Sequence, residues 1–413
     1  MNQHLERGKL LLQQHRHREA EAEFKMHLSL EPNDDEAHLY LALCYLHGNK
    51  LDDATISIQQ SIALFPHNAF AFYIYSRILF GQEKYKESRQ KIDEAINIQP
   101  MDANFFAWSA QLHLFNKDYL QALEAANAGL ANEPDNIDCL NQRTMALVKL
   151  DKKEEAYSTI NDALLEDPEN SLTHANTGWA MLEHGDHKKA LIHFTESLRL
   201  NPNNEWAKHG MIEALKARYF IYRMFLKYMF WIGNLKGNKQ WMIIIGAYIL
   251  VRILNNVAET KPQYEPFIMP VVIAYAVFAL STWVLMPLFN VLLLLHPQGR
   301  YALSPTEKST SVLVFASLVT GLISLLWYTL TGIDGFLFLA ILGLSMMIPI
   351  SGMQLHRTPK QKKILTVYTF VLLALGLITV ALAFMGRDYL VTGTIYAVMM
   401  LMYQFLSNSF IIR

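Results

Sequence analysis

Six prolines recur every 34 residues in the first half of the chain without a slip: Pro32, Pro66, Pro100, Pro134, Pro168 and Pro202. A fixed period of this length means that one supersecondary unit is repeated and stacked into an array. Proline disfavours helix at the residue before it and suits the first turn of a new helix. Each proline is therefore predicted to end one helix and to begin the next.

Two further positions repeat in register with the prolines. A small residue lies twelve positions before each proline, and the set is Ala20, Ala54, Ser88, Ala122, Ala156 and Ala190. A second, mostly bulky set lies eight positions before each proline: Phe24, Ile58, Ile92, Ala126, Ile160 and Phe194. Apolar residues at fixed helical spacings predict the buried contacts between stacked helices.

The pattern resembles the tetratricopeptide repeat family, whose unit is a helix–turn–helix of the same length. The resemblance covers residues 1–202, and a capping helix is expected to extend the array to residue 215. It implies an all-α solenoid in which the first helix of each pair lines a concave groove for peptides or partner helices. Cys44 and Cys139 fall inside repeat helices and are predicted to be small core residues.

The family register, carried onto this sequence, predicts which side chains line the groove. They are Phe70, Tyr73, Arg77, Phe80, Gln111, Phe115, Asn141, Met145, Lys149, Trp179 and Leu182. Apolar and aromatic groups with scattered polar ones suit an apolar peptide or helix. The Lys, Arg and Asn set that chaperone-binding members use against carboxylates is not seen. The alternative is that some of these aromatic rings pack between repeats.

The composition becomes apolar from residue 241 onward. Six long stretches follow one another, at 241–258, 267–295, 309–330, 335–353, 364–385 and 389–412. Each is near or above the ~18–20 residues that cross a bilayer as a helix. The last four contain no Asp, Glu, Lys or Arg. The sequence therefore predicts a six-helix transmembrane bundle over residues 241–413, with a kink or tilt where the second stretch contains Pro270 and Pro287.

Charge separates the two halves and predicts the orientation. Residues 1–213 have a net charge of −12, and residues 214–413 have +11. With the repeats and both termini in the cytoplasm, most basic loop residues fall on that side, as membrane proteins prefer. These are Lys236, Lys239, Arg300, Lys308, Arg357, Lys360, Lys362, Lys363 and Arg413. The charged start does not resemble a signal peptide, and an integral, multi-pass protein of a bacterial inner membrane is expected.

Residues 216–240 join the two parts and mix basic with aromatic side chains. Lys216, Arg223 and Lys227 are expected to share one face of a continuous linker helix. Basic and aromatic groups together are typical of a helix at the headgroup boundary, so anionic lipids are predicted to bind near these three residues. The alternative is that the helix only caps the last repeat.

The segments before the third and fifth apolar stretches share a helix-start pattern. Ser304 with Glu307, and Thr358 with Gln361, have the spacing of capping boxes, with a proline at the first helical position. The two motifs lie 54 residues apart. The two C-terminal hairpins are therefore expected to be alike, either by duplication or because any short hairpin needs caps and a turn.

No catalytic or metal-ligand constellation stands out. The histidines are mostly single residues on repeat helices, and no cysteine or carboxylate is expected to complete a ligand set around them. Gly343-Leu344-Ser345 resembles the serine motif of rhomboid proteases, but the sixth stretch lacks a histidine base, which excludes that chemistry. No cofactor, metal or nucleic-acid partner is predicted, and enzyme activity is not expected.

Polar residues within the apolar stretches leave a second class of function open. They are Arg252, Asn255, Asn256, Asn290, Gln404 and Asn408. Polar groups at such depth usually face a partner helix or a cavity. The sequence thus favours a membrane-anchored scaffold or adaptor that docks a protein or peptide at the cytoplasmic face. The alternative is a transporter or membrane enzyme in the bundle, regulated by the repeats, with a wet cavity reaching Asn290 and Gln404.

Overall fold

A computed structural model describes residues 3–295, 303–353 and 358–411 of the 413-residue chain. Within these ranges the chain is helical and contains no strand. It divides into two compact units, of which the first comprises residues 1–184 and 192–204 and the second residues 185–191 and 205–413. The all-α fold class predicted from the sequence is confirmed.

In the described part of the repeat region, twelve α-helices alternate with short turns. Their bounds are Gln3–Gln13 (α1), His17–Leu30 (α2), Asp35–His47 (α3), Leu51–Leu64 (α4), Ala69–Gly81 (α5), Tyr85–Ile98 (α6), Ala103–Phe115 (α7), Tyr119–Asn132 (α8), Ile137–Lys149 (α9), Lys153–Glu166 (α10), Ser171–Glu183 (α11) and His187–Leu200 (α12). From α1 to α11, successive helices pack against each other, and α7 and α11 also pack against α9. This is the helical solenoid that the period predicts.

The turn between repeats is fixed by a helix cap that recurs with the same period. The side chains of Asp34, Asn68, Asp102, Asn136 and Asn170 each accept a hydrogen bond from a backbone N–H in the first turn of the next helix. Each such cap contributes ~1 kcal/mol, because it satisfies an amide that the helix start leaves free. The prolines lie two residues earlier, in the turns. The expectation that they occupy the first helical turn is wrong, since the Asp or Asn cap starts the helix.

The turn inside each repeat contains a residue with left-handed backbone geometry. Five are not glycine and have φ between 55° and 61°: His15, Asn49, Glu83, Lys117 and Asp151. The sixth equivalent position is Gly185, with φ 89°. A side chain in this conformation costs roughly 1–2 kcal/mol, because Cβ approaches the following carbonyl oxygen. The geometry of the repeat therefore imposes this backbone conformation on residue types that do not favour it.

Both periodic sets from the sequence are buried, as predicted. The six small residues are fully buried, and the second set is at most 3% exposed. Gly8 and Gly178 show why the first helix needs a small residue where the second helix crosses it. A Cβ on either glycine would come within 2.6 Å of the Phe24 or Phe194 ring.

The second unit contains two helices joined by a tight corner, Glu205–Lys216 (α13) and Phe220–Asn234 (α14). The carboxylate of Glu213 holds the corner, accepting from Lys216 Nζ at 2.6 Å and from the Tyr222 hydroxyl at 2.5 Å. The Lys216 ammonium also lies 4.9 Å from the centre of the Tyr222 ring. The sequence predicts one continuous helix here, whereas these contacts turn the chain at residues 217–219.

Six further α-helices follow a two-residue non-helical segment, residues 235–236. They are Gly237–Thr260 (α15), Glu265–Leu294 (α16), Pro305–Thr331 (α17), Asp334–Gly352 (α18), Pro359–Phe384 (α19) and Leu390–Ile411 (α20). Five of these helices, within the described residues, are long and apolar enough to cross a membrane. The remaining one, α16, qualifies as a bent pair, with 62° between Pro262–Ala279 and Val284–Leu294. Pro287 explains the bend, because it cannot donate to the carbonyl four residues earlier and its ring displaces that carbonyl.

Both capping boxes predicted in this region are present. Ser304 and Glu307 exchange side-chain and backbone hydrogen bonds at the start of α17, and Thr358 and Gln361 do the same at the start of α19. A proline occupies the beginning of each helix, as expected. The two C-terminal hairpins therefore begin with the same local structure.

Helices α17 and α18 approach each other through glycine. A Cβ on Gly343 would lie 2.6 Å from the backbone nitrogen of Gly321. The Ser317 hydroxyl donates to the Gly343 carbonyl at 2.9 Å, and Gly332, with φ 68°, closes the turn between the helices. Small residues at such a contact bring two apolar helices close enough for extensive van der Waals packing. In a hydrocarbon environment this packing matters most, because moving an apolar side chain from lipid into a helix contact gains no hydrophobic free energy.

We expect Glu83→Gly to stabilise the array by about 1 kcal/mol, because glycine carries no Cβ to strain the left-handed turn. The matched control is Glu87→Gly in the first turn of α6, where the backbone is helical. That change should destabilise the array by up to about 1 kcal/mol. Thermal unfolding of the array, followed by circular dichroism, measures both. Two shifts of the same sign would contradict the prediction.

Candidate functional site: an aromatic surface on the repeat array

Seven aromatic side chains from two neighbouring repeats form one continuous cluster, called here the aromatic cluster: Phe70, Tyr73, Phe80, Tyr85, Phe105, Trp108 and Phe115. Neighbouring ring centres are 4.6–6.5 Å apart, the range of favourable aromatic contacts. Phe105 is only 1% exposed and forms the base of the cluster, whereas Phe70 and Phe115 are 40% and 53% exposed. Tyr85 is 41% exposed as well, so the cluster combines a buried interior with three rings that face solvent.

A buried serine pair positions the central ring of the cluster. The Ser76 hydroxyl lies 2.7 Å from the Ser88 carbonyl, and the Ser88 hydroxyl lies 2.7 Å from the Ser76 carbonyl, so each serine bonds the backbone of the other. The Trp108 indole Nε1 donates to the Ser76 hydroxyl at 2.8 Å. The indole is thus held in one orientation by a network that also joins α5 to α6.

Arg77 places a positive charge on this surface. Its guanidinium carbon lies 5.6 Å from the centre of the Tyr73 ring and 5.9 Å from that of Trp108. No carboxylate forms an ion pair with Arg77 in the described parts of the chain. A guanidinium held over two rings is oriented by cation–π attraction and by its hydrogen bond with Tyr73, and its five N–H groups exceed what that bond uses.

An open cavity of about 510 Å³ lies at one end of the aromatic cluster. Tyr85 and Phe115 belong to both, which makes the cavity a continuation of the aromatic surface. Charged side chains of both signs line much of the remaining wall: Glu83, Lys84, Lys86, Glu87 and Arg89. An apolar wall with polar groups around it is the usual form of a recognition pocket, and this volume is within the ordinary range of ~300–1,000 Å³.

The other predicted groove residues do not join the cluster. Asn141 is buried and donates to the Thr173 hydroxyl at 3.0 Å. The Trp179 ring packs edge-on against Phe194, with ring centres 5.7 Å apart. These contacts follow the alternative raised from the sequence, in which some of the predicted groove residues pack inside the array.

Four more predicted groove residues differ widely in exposure. Leu182 is 3% exposed, and Met145 is half-buried. Lys149 is half-buried and pairs with Glu183 at 2.8 Å, while Gln111 is exposed. Family register alone therefore does not separate surface from packing positions, since each repeat fills the space beside it differently.

Three members of the cluster were missed by the sequence reasoning. Phe105 and Trp108 occupy α7, and Tyr85 begins α6. The signal that was present is the aromatic density of α7, which contains four aromatic residues in thirteen. Tyr85 had no such signal, because only the stacking of repeats brings the start of α6 against Phe115.

The polar residues predicted in the bundle divide into exposed and buried ones. Arg252 and Asn256 are exposed on α15, and Asn255 donates to Glu259 one turn away at 3.1 Å. Asn290 is 3% exposed and its Oδ1 has no hydrogen-bond partner in the described residues. Gln404 is half-buried, and the side chain of Asn408 lies outside the described residues.

The structure does not bring Asn290 and Gln404 together. Helix α16, which carries Asn290, packs against α13, α15, α17 and α18, whereas α20, which carries Gln404, packs against α19. The bundle cavity described below contains neither side chain. That cavity is therefore not the wet cavity, reaching both side chains, that the alternative function requires.

The linker basic residues differ in their access to a membrane surface. Lys216 is 1% exposed and is bound to Glu213, so its predicted contact with lipid headgroups is wrong. The corner between α13 and α14 uses this ammonium internally. Arg223 is half-buried and Lys227 is exposed, so these two stay candidates for such a contact.

One group of side chains in the described residues could hold a metal ion: His27, Glu31 and Asp34. Their potential ligand atoms all lie within 4.8 Å of one another. The sequence did not single out this group, because its three residues come together only where α2 meets the start of α3. His27 Nε2 lies 2.7 Å from Asp34, and this bond ties the end of α2 to the cap of α3. His27 Nδ1 is buried without a partner in the described residues, whereas a metal-bound imidazole normally donates its second N–H. The geometry fits a structural hydrogen bond.

The pKa of the Asp34 carboxyl is consistent with this structural role. Burial alone raises its pKa, but the hydrogen bonds from the Ala37 N–H and from His27 bring the pKa below its ordinary value. Cys44 and Cys139 are buried, as predicted, and burial raises the pKa of each thiol to about 12. A thiol with such a pKa is almost wholly protonated at neutral pH and is a poor nucleophile.

Two further histidines meet across one repeat. His174 Nδ1 and His193 Nδ1 are 3.1 Å apart, and the rings stack with centres at 5.4 Å. At this distance one nitrogen donates and the other accepts, so the pair requires at least one neutral imidazole. Burial, together with the neighbouring His174, lowers the pKa of His193.

Comparisons with known proteins agree with the repeat fold. The family model for "Anaphase-promoting complex, cyclosome, subunit 3" matches residues 13–95, and that for "Tetratricopeptide repeat" matches residues 171–204. Neither match reaches the apolar helices. No curated protein sequence matches the chain.

Three solved structures illustrate the likeness. The pilF structure from Pseudomonas aeruginosa is 19% identical over 50% of this chain and 94% of its own, with a TM-score of 0.42. YrrB, titled "a TPR protein with an unusual peptide-binding site", is 18% identical over 45% of this chain and 96% of its own, with a TM-score of 0.34. Yeast Tom70 is 18% identical over 48% of this chain and 43% of its own, with a TM-score of 0.41.

Residues 1–202 form a tetratricopeptide repeat array. The proline period, the two buried periodic sets and the helix-pair stacking show this, and the family-model matches fall within or at the edge of the same residues. Arrays of this kind present an extended surface to other proteins. The repeats therefore indicate a protein-interaction scaffold, and a set of apolar helices follows them in the chain.

The array is expected to lose stability as the pH falls from 7 to 5. Burial is the main cause of a lowered pKa at His47, His113, His184 and His193. The unfolded chain, with an ordinary histidine pKa of ~6.5, then binds protons that the folded chain does not. Stability is thus full above pH ~6.5 and declines below it.

His193→Gln should reduce this loss, because it removes one of the groups whose pKa burial lowers. His67→Gln is the matched control, since His67 is exposed in a turn. The unfolding temperature of the array, measured at pH 7 and pH 5, tests both. An unfolding temperature that does not fall with pH would contradict the prediction.

Proposed function

We propose that the protein is a membrane-anchored adaptor that docks a partner protein or peptide on the aromatic cluster at the cytoplasmic face. The observation that carries the proposal is a surface of exposed rings, Phe70, Tyr85 and Phe115, that continues into an open cavity of about 510 Å³ lined by Tyr85 and Phe115. Aromatic rings fixed from below and exposed above supply the buried anchors that protein interfaces use most.

The chemistry of the surface favours an apolar segment of the partner. Tyr73, Phe80 and Trp108 already pack among themselves, so they form a rigid floor that loses little side-chain entropy on binding. Arg77 and the charged cavity wall provide donors and acceptors for the main chain or the polar flanks of the ligand. An apolar side chain in the cavity with polar neighbours at its rim matches this arrangement.

The membrane part of the proposal rests on the apolar helices. Five helices, or six with the bent α16, have the length and composition of spans. We propose residues 1–215 as the cytoplasmic array, 216–240 as the linker and 241–413 as the bundle. Ile212 and Leu215 of α13 pack with Leu293 and Leu303 inside the second unit, so α13 shares an apolar core with the start of the bundle.

The proposed orientation has the repeats and both termini in the cytoplasm. Lys308, Lys360, Lys362 and Lys363 lie at the ends of α17 and α19 that carry the capping boxes. The opposite ends of these helices precede the turns at residues 332–333 and 385–389. Basic residues favour the cytoplasmic side. Arg300, Arg357 and Arg413, which support the same orientation, lie outside the described residues.

The second candidate function is a transporter or enzyme in the bundle, and one buried side chain, Asn290, favours it. The Asn290 oxygen is buried without a hydrogen-bond partner in the described residues, which is costly unless a water or a ligand satisfies it. Asn290→Leu distinguishes the two candidates. It should leave partner docking unchanged if the protein is an adaptor, and it should abolish a transport or catalytic activity if the bundle has one.

The docking proposal predicts a strong effect from the exposed rings. Peptides selected from a random displayed library on the full-length protein in mild detergent should be rich in aromatic and aliphatic residues. The double variant Phe70→Ala with Phe115→Ala should lower the affinity of these peptides by ~30-fold or more, because loss of a hot-spot anchor costs ~2 kcal/mol of binding free energy.

The matched control is Phe65→Ala. Phe65 is 49% exposed at the end of α4, and no ring contact joins it to the aromatic cluster in the described residues. It should leave peptide affinity within twofold. Equal losses for the control and the double variant would show that the peptides bind elsewhere, and the docking proposal in this form would be wrong.

Topology gives a separate prediction. Reporter fusions after Arg413 and within residues 260–265 should report opposite sides of the membrane, because an odd number of proposed crossings separates them. A cytoplasmic signal is expected after Arg413. The same signal from both sites would contradict six crossings while leaving the docking proposal untouched.

A further inference from the structure

A groove of about 280 Å³ lies between α17, α18 and α19 in the second unit. Its wall is formed by Leu, Ile, Met and Phe side chains, among them Leu339, Met346 and Leu373. Gly343 belongs to the wall where α17 and α18 touch. The groove is open on one side, so it faces whatever surrounds the bundle.

The polar groups of this groove are mostly engaged with the helices themselves. The Ser317 hydroxyl donates to the Gly343 carbonyl at 2.9 Å, and the Thr369 hydroxyl donates to the Leu365 carbonyl at 2.8 Å. Thr320 is the remaining hydroxyl of the wall and is exposed. Recognition inside the groove is therefore apolar, and a ligand there gains by dispersion and shape rather than by hydrogen bonds.

The shape of the groove selects among apolar occupants. The lining residues on α19 run from Thr369 to Leu377, which is ~12 Å along a helix at ~1.5 Å per residue. A second helix is ~10 Å wide with its side chains, so 12 Å of it needs roughly 900 Å³. A single hydrocarbon chain is ~4 Å wide at van der Waals contact and needs on the order of 200 Å³ over the same length. The groove therefore has room for a hydrocarbon chain within it, whereas a helix could only lie across its open side.

One end of the groove is marked by positive charge. Lys362 precedes Thr369 by seven residues and Leu373 by eleven, so it lies on the same face of α19, ~10 Å beyond the groove lining. Lys362 is exposed, and no carboxylate forms an ion pair with it in the described parts of the chain. Lys360 lies nine residues before Thr369 and therefore points to the opposite side of the helix.

We propose that this groove binds one acyl chain of an anionic phospholipid, with the Lys362 ammonium on its phosphate. The inference rests on the proposed membrane location. The chain lies parallel to the helices, and the headgroup lies at the bundle end where α17 and α19 begin. A lysine near the membrane surface contributes ~1 kcal/mol to the binding of an anionic lipid. The groove therefore determines where the acyl chain binds, and Lys362 makes an anionic headgroup bind better than a neutral one.

Native mass spectrometry of the full-length protein in mild detergent tests this, with phosphatidylglycerol and phosphatidylcholine added as probes. We expect one tightly retained lipid and a preference for phosphatidylglycerol. Thr320→Phe fills the groove and should weaken retention at least tenfold. Leu322→Phe adds a ring to the same helix at a 53% exposed position outside the groove and should change nothing.

The charge is tested independently of packing. Lys362→Gln should lower the preference for phosphatidylglycerol about fivefold, which is ~1 kcal/mol, and Lys360→Gln should leave it unchanged. These surface changes at a helix start do not depend on whether Thr320→Phe folds. Equal retention by Thr320→Phe and Leu322→Phe, equal effects of the two lysine changes, or a second protein chain in place of the lipid would each overturn the proposal.

Failure of the membrane proposal gives a different result. Before the lipid is measured, each variant is extracted from cell membranes with alkaline carbonate. Wild-type protein released by carbonate would refute the membrane location itself. Wild-type protein that stays in the membrane but retains no lipid would refute the groove alone.

Discussion

The repeat array depends on the close approach of paired helices, in which a small residue of the first helix lets a side chain of the second lie against the backbone. Gly8 against Phe24 and Gly178 against Phe194 show how little room there is. This contact sets the distance between paired helices, and the Asp or Asn caps then set where each new pair begins. The left-handed residues in the intervening turns are a consequence, since the chain must reverse in a few residues whatever their type.

The aromatic cluster is an addition to this framework rather than part of it. Ser76 and Ser88 occupy the two small positions of one repeat, yet they also bond each other and hold Trp108. A core contact thereby becomes the support of a surface. The exposed rings of Phe70 and Phe115 stand on a rigid base, which is what a binding surface needs if affinity is not to be lost to ordering the side chains.

The second unit follows a different rule, because no periodic core position governs it. Its helices are fixed by capping boxes, by glycine contacts between α17 and α18, and by the Glu213, Lys216 and Tyr222 corner. Where hydrocarbon surrounds a bundle, burial does not drive helices together, and packing of small residues decides which helices touch. Imperfect packing between three helices leaves the apolar groove as a by-product that an acyl chain can fill.

The sequence by itself determined most of the features that depend on a fixed period or on local composition. The helix pairs, the buried periodic sets, the apolar stretches, both capping boxes and the proline bend of α16 are set by neighbours within a few residues or by a fixed period. Tertiary structure alone decided the partners of the long side chains. Asn141 turned inward to Thr173, and Tyr85 joined Phe115 from another helix, because a side chain's contacts depend on atoms that are distant in sequence.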